Sequence, residues 1–100
     1  MTYLIVGASS DIGKALIKKI NNEAKNLIEK PVIIGHYRSS KDELDKLANE
    51  CMNIELRLIK ADLSSEHEVL AFVDNIKEYT ENVDTFSKIK DFVLDYLIAL

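Results

Sequence analysis

With 100 residues, 13 Lys and Arg against 17 Asp and Glu and a net charge of −4, the chain lacks the clustered positive charge that nucleic-acid binding requires. Its 47% apolar and 30% charged residues exclude a disordered tail and suit one small domain over residues 1–100. No apolar run approaches the roughly 20 residues that span a bilayer, and no charged leader precedes the first strand, so a cytoplasmic protein without membrane contact is expected.

Tyr3-Leu4-Ile5-Val6 is short and apolar and reads as a strand. The following helix is expected to begin near Ile12 and fade near Glu29, with Ala15, Leu16, Ile20, Ala24 and Leu27 on its apolar face. Between them runs Gly7-Ala8-Ser9-Ser10-Asp11-Ile12-Gly13. A chain that turns sharply from strand into helix leaves the first helical N–H groups without partners at the positive end of the helix dipole. Such a turn is a cradle for an anion, a phosphate above all. Gly7 permits the tight turn, and Gly13 lets helix and strand approach closely. The plain alternative is an ordinary βα turn capped by Ser9 or Ser10.

Lys30-Pro31 breaks the helical pattern, and Val32–Tyr37 follows as a strand whose continuous apolar start suggests cover on both faces. Ser40 with Glu43 makes a capping box for a helix from Lys41 to about Cys51, with Leu44, Leu47, Ala48 and Cys51 inward. A third strand is expected over Ile54–Ala61. Ser65 with Glu68 then opens a helix to about Tyr79, with Val69, Phe72, Val73 and Ile76 facing in. This βαβαβα order implies an α/β fold: a three-layer Rossmann-like parallel sheet in strand order 3-2-1, truncated after its first half. Asn82–Phe86 is expected as a short fourth strand beside the first, and Ile89, Phe92, Val93, Tyr96, Leu97 and Leu100 recur at the spacing of a final helix. Should the fourth strand fail to pair, the bare edge of the first, or the face of Phe92, Tyr96 and Leu97, would drive association into a homo-oligomer. Cys51, the lone cysteine, is expected as a buried inert thiol, and the isolated His36 and His67 as surface residues that form no metal site, with contact at the phosphate edge as the alternative for His36.

The loop GASSDIG resembles the cofactor loop of the short-chain dehydrogenase/reductase family, whose usual form is T-G-x-x-x-G-x-G. Val6 stands in place of the Thr and Asp11 in place of the middle glycine. The resemblance implies an NAD(P)-binding oxidoreductase with Gly7, Ser9, Ser10, Asp11, Ile12 and Gly13 around the pyrophosphate. The end of the second strand selects the cofactor, because NAD folds place an acid there for the ribose 2′-hydroxyl whereas an Arg accommodates a 2′-phosphate. His36-Tyr37-Arg38-Ser39-Ser40 holds no acid, and Arg38 offers a planar donor fork matched to phosphate, so NADP(H) is favoured over NAD(H). This run also resembles NADP-preferring members of the family, which implies that Arg38 grips the 2′-phosphate with Ser39 and Tyr37 beside it. The alternative for Arg38 is a solvated residue paired with Asp42 or Glu43.

Ala61-Asp62-Leu63 matches the family's D-L or D-V pair. It implies that the Asp62 carboxylate and the backbone N–H after it hold the adenine; the alternative is that Asp62 merely ends the strand before Ser64-Ser65. The family's N-N-A-G segment has no counterpart after Val83-Asp84-Thr85, and the catalytic Ser and Y-x-x-x-K pair have none either. Tyr37 to Lys41 fits Y-x-x-x-K as text but lies at the adenosine end, so no catalytic residue is assigned. The chain is thus expected to bind the dinucleotide, as part of a carbonyl and alcohol interconverting enzyme, without catalysis of its own. Two alternatives remain: a non-catalytic nucleotide-binding or scaffold module whose final helix recruits a partner, and a flavodoxin-like or receiver-type domain, for which Asp11 and Asp62 make a poor acidic cluster.

Overall fold

Apolar runs alternate with amphipathic stretches along this chain, and its computed structural model, which describes residues 2–81 and 96–99, turns that alternation into strands and helices. In order these are β1 (Thr2–Val6), α1 (Asp11–Glu23), a 3-10 turn (Ala24–Asn26), β2 (Val32–Tyr37), α2 (Asp42–Glu50), β3 (Glu55–Lys60), α3 (Glu66–Glu81) and β4 (Tyr96–Ala99). The strands form one parallel sheet in the order β3-β2-β1-β4, with Leu4 opposite both Ile34 and Leu97.

Because successive strand residues point to opposite faces, the sheet divides its apolar residues between two cores. Ile5, Ile33 and Tyr37 pack with Ile17 and Ile20 of α1 and with Leu44 and Leu47 of α2. Leu4, Ile34, Ile59 and Ala61 pack on the other face under Phe72 of α3. The result is a three-layer Rossmann-like α/β fold. The chain adds β2 and β3 on one side of β1 and then crosses to its other side for β4. In open parallel sheets the crevice at such a reversal, outside the carboxyl ends of the strands, is where ligands bind.

Several expectations are corrected. Helix α1 stops at Glu23, and its buried line runs through Gly13, Ile17, Ile20 and Ala24, leaving Ala15 and Leu27 exposed. Asn53, in the loop before β3, takes over at that end: its N–H donates to Asn21 Oδ1 at 2.9 Å and its Nδ2 to the Asn21 carbonyl at 3.2 Å. The second of these bonds reaches one of the last carbonyls of α1, which the end of a helix leaves without an intrahelical partner. The Ser40 and Glu43 capping box does not form, since α2 starts at Asp42 without a side-chain cap and Glu43 reaches across to Lys14 of α1. At α3 the box forms only in half. The Glu68 N–H lies 3.5 Å from Ser65 Oγ, while the Glu68 carboxylate reaches past Ser65 to the Asp62 N–H. Val73 is exposed, although Phe72 is buried as expected.

The largest correction is at the fourth strand. Tyr96–Ala99, which shares the helical spacing of the last apolar stripe, pairs with β1 as β4. A four-residue apolar run fits either period, and the backbone pairing with β1 makes it a strand. The strand expected over Asn82–Phe86, and the helical positions Ile89, Phe92, Val93 and Leu100, lie outside the described residues. With β4 beside it, β1 is an interior strand, which removes its edge as the route to self-association.

Candidate functional site

The carboxyl end of β1 opens into the turn at Gly7, whose φ of 77° lies in the left-handed region. A side chain there would cost roughly 1–2 kcal/mol. Ser10 caps α1, its N–H donating to the Gly7 carbonyl at 3.1 Å and its Oγ accepting from the Gly13 N–H at 3.0 Å. The capping alternative for Ser10 is therefore realised. It satisfies one helical N–H only, and those of Asp11 and Ile12 have no partner among the described residues. The side chain of Ile12 beside them is 67% exposed. Gly13 lies against the turn itself, where a Cβ would stand 2.7 Å from the Ala8 carbonyl oxygen and 2.8 Å from its Cα. Only glycine lets α1 approach the loop this closely.

The Asp11 carboxylate is fully exposed and lies 3.5 Å from Lys14 Nζ. Lys14 also pairs with Glu43, and that hydrogen bond, followed by the negative charge of both acids, holds the Lys14 ammonium above its ordinary value. One cation thus joins the start of α1 to the start of α2.

The end of β2 carries a residue whose burial within the site the sequence does not reveal. His36 is buried, not at the surface, and its Nδ1 accepts from the Gly7 N–H at 3.1 Å. A carbonyl only accepts, so the contact of 2.8 Å between Nε2 and the Ala61 oxygen places the ring proton on Nε2. The His36 carbonyl accepts from the Ala8 N–H at 2.8 Å, and the ring tilts against Phe72 with centroids 5.2 Å apart. His67 is exposed, as its place in the first turn of α3 suggests.

Beyond His36 the expected residues separate into two groups. The Tyr37 ring is buried in the core under α1 and α2, and its carbonyl accepts from the Ala61 N–H at 3.0 Å. Tyr37 is therefore corrected from a lining residue to a packing one, by the same alternation that turns His36 toward α3. Arg38 is exposed and its Nη2 stands 3.9 Å from Asp62 Oδ2, across the rim from β2 to β3, in place of a pairing with Asp42 or Glu43. Asp62 Oδ1 accepts from the Ser64 N–H at 3.0 Å and from its hydroxyl at 2.6 Å. Those bonds, aided by Arg38, hold the Asp62 carboxyl below its ordinary 3.8. One oxygen thus ends the strand and the other faces Arg38. Ser39 is exposed beside an open recess of about 540 Å³ that it lines with Ser40, Lys41, Asp42 and Glu43. Leu63 packs its half-buried side chain on the α3 face.

The loops after β1, β2 and β3 therefore meet on one rim, which brings together Gly7, Ser10, Asp11, Ile12, Gly13, Arg38 and Asp62. Cys51 is a buried free thiol outside this rim, raised by burial above its usual value. The segment directly after Thr85, where the family loop is sought, lies outside the described residues. Among the described residues no cluster of His, Cys, Asp and Glu forms a metal site, and no helix is long and apolar enough to cross a membrane. Comparison with family models, with curated proteins and with solved structures finds no match to this chain.

Proposed function

We propose that the chain is the NADP(H)-binding portion of an oxidoreductase of the short-chain dehydrogenase/reductase type, and that it binds the dinucleotide without interconverting carbonyl and alcohol by itself. One observation carries this reading: the first-turn N–H groups of Asp11 and Ile12, without a partner among the described residues, stand over a glycine-tight turn, at the reversal of strand order, on the rim that holds Arg38 and Asp62. The pyrophosphate fits the turn because Gly7 takes the left-handed backbone that the turn needs and Gly13 lets α1 close on Ala8, and because Lys14 offsets the Asp11 carboxylate nearby. Arg38 fits the 2′-phosphate, and Asp62 with the Leu63 backbone fits the adenine. A bound nicotinamide supplies the hydride chemistry; these residues orient the adenosine and phosphate end. The textual Y-x-x-x-K match has no catalytic geometry, since the Tyr37 ring is in the core and Lys41 lies 3.9 Å from Asp45. A scaffold built on a partner-binding final helix loses support at Tyr96–Ala99, where the backbone is a strand.

Titration of the intrinsic fluorescence of the reduced cofactors tests the proposal, with melting temperature as a second readout. NADPH is expected to bind more tightly than NADH and to raise the melting temperature, as any ligand specific for the native state must. Charge-assisted hydrogen bonds contribute about 1.5–3 kcal/mol, so Arg38→Ala is expected to cut the preference by roughly ten- to a hundredfold. Equal affinities for the two cofactors, or no thermal shift with NADPH, would refute the assignment.

A further inference from the structure

The geometry points to His36 as the residue that positions the dinucleotide site, one buried imidazole setting the phosphate loop after β1 against the adenine loop after β3. The inference rests on the cofactor reading above and extends it to a residue that touches no ligand. Ladder pairing between β1 and β2 ends at Ile5 and Gly35, and pairing between β2 and β3 ends at Tyr37 and Lys60. Past those points, among the described residues, strand pairing reaches only Val6 opposite Ala99 and the Ala61 N–H on the Tyr37 carbonyl, and Gly7 and Asp62 themselves lie off the ladders. His36 takes over from both sides: Nδ1 receives the Gly7 N–H, its carbonyl receives the Ala8 N–H, and Nε2–H donates to the carbonyl of Ala61, the residue before Asp62.

Each bond has a directional consequence. The Gly7 N–H belongs to a glycine with a positive φ, and its direction decides how the turn presents the neighbouring N–H groups of Asp11 and Ile12. The Ala61 carbonyl belongs to the peptide that leads into Asp62, whose own N–H is held from α3 by Glu68 at 3.0 Å. Both ring nitrogens are thus occupied by the two loops. The ring is 6% exposed and braced by Phe72, which leaves water little room to substitute for a lost bond. The tautomer is part of the device, since a proton on Nδ1 would set donor against donor at Gly7.

Two substitutions separate the two bonds. His36→Asn offers an oxygen near the place of Nδ1 and keeps the acceptor for Gly7, whereas His36→Gln extends an amide toward Ala61 and gives up that acceptor. The probes are NADPH, which spans both loops, and adenosine 2′-monophosphate, which reaches only the Arg38 and Asp62 side. His36→Gln is expected to weaken NADPH about tenfold and leave adenosine 2′-monophosphate unchanged, and His36→Asn to weaken both probes by one common factor. In the unsubstituted protein, nitrogen-15 NMR of the imidazole is expected to show a bare Nδ1 coupled to the Gly7 amide and a protonated Nε2. A proton on Nδ1, or two variants that change both probes equally, would overturn the positioning role. If the unsubstituted protein binds neither probe, the cofactor reading falls and takes the ligand of this clamp with it. The NMR of the free protein still decides whether His36 joins the loops.

Discussion

Gly13→Ala sets two effects of opposite sign against each other in one methyl group. In an exposed helix interior, alanine is favoured over glycine by about 1 kcal/mol, so propensity alone predicts a more stable protein. At Gly13 the added carbon would lie 2.8 Å from Ala8 Cα and 2.9 Å from its carbonyl carbon, with the carbonyl oxygen at 2.7 Å. The shortest comfortable carbon–carbon separation is about 3.5 Å, so α1 or the loop must retreat by roughly 0.7 Å. The opposing atoms are backbone and cannot rotate aside. Overpacking of this kind costs about 1–3 kcal/mol, and a clash with three backbone atoms belongs at the upper end. A net loss of about 2 kcal/mol remains, which for a domain of this size lowers the melting temperature by roughly 8–16 °C. Urea unfolding followed by circular dichroism gives the free energy, and a thermal scan gives the temperature. A Gly13→Ala protein as stable as the parent, or more so, would refute the close approach of helix and loop. Under the proposed function the same retreat moves the Asp11 and Ile12 N–H groups, so the affinity for NADPH falls with the stability.

Ser10→Ala removes the one side-chain oxygen that caps α1 and is expected to cost about 0.5–2 kcal/mol in urea unfolding; an unchanged midpoint would show that the Gly13 N–H finds another partner. The Asp62 turn gives a pH signature whose sign follows from its lowered pKa: the contribution is present above the unfolded value of 3.8 and lost as pH falls through the lower folded value. The Ser64 amide resonance is therefore expected to titrate below pH 3.8 and to stop doing so in Asp62→Asn. A midpoint at or above 3.8 in the parent would contradict the hydrogen bonds drawn to that carboxylate.

What the chain reveals before folding is what a few adjacent residues settle among themselves. Val32–Tyr37 is a strand by its own composition, and the span is the one observed. Gly7, Ser10 and Gly13 act within a single turn, where spacing and chemistry suffice. Helix α1 is legible as a helix but not in phase. Leu16 and Ile17 are adjacent and equally apolar, and no hydropathy scale counts Gly13 as inward-facing, although its contact with Ala8 orients the whole helix. Glu43 sits at capping-box spacing from Ser40, but a cation from another helix outweighs the local oxygen, and local reading has no access to Lys14. His36 is misread by polarity. Its alternation with Val32 and Ile34 places it on the α3 face, and only the fold reveals the Gly7 N–H and Ala61 carbonyl that make burial tolerable there.

The pairing of Arg38 with Asp62 is where the free protein and the proposed ligand meet most directly. At 3.9 Å, with the guanidinium side chain 75% exposed, the pair is worth little, as exposed ion pairs are. Asp62 does not depend on Arg38 for its charge, because Ser64 supplies the larger part of what lowers its pKa. Arg38 is thus free to leave without stranding a buried carboxylate. A 2′-phosphate offers it more charge than one carboxylate and a geometry that accepts both arms of the fork, while Asp62 Oδ2 becomes available to the adenine amino group. The same two side chains that pair in the absence of ligand would then divide between the two ends of one adenosine 2′-phosphate. This requires the rim to hold its shape while the ion pair opens, and the hydrogen bonds from His36 to Gly7 and Ala61 lie inside the rim, untouched by the exchange.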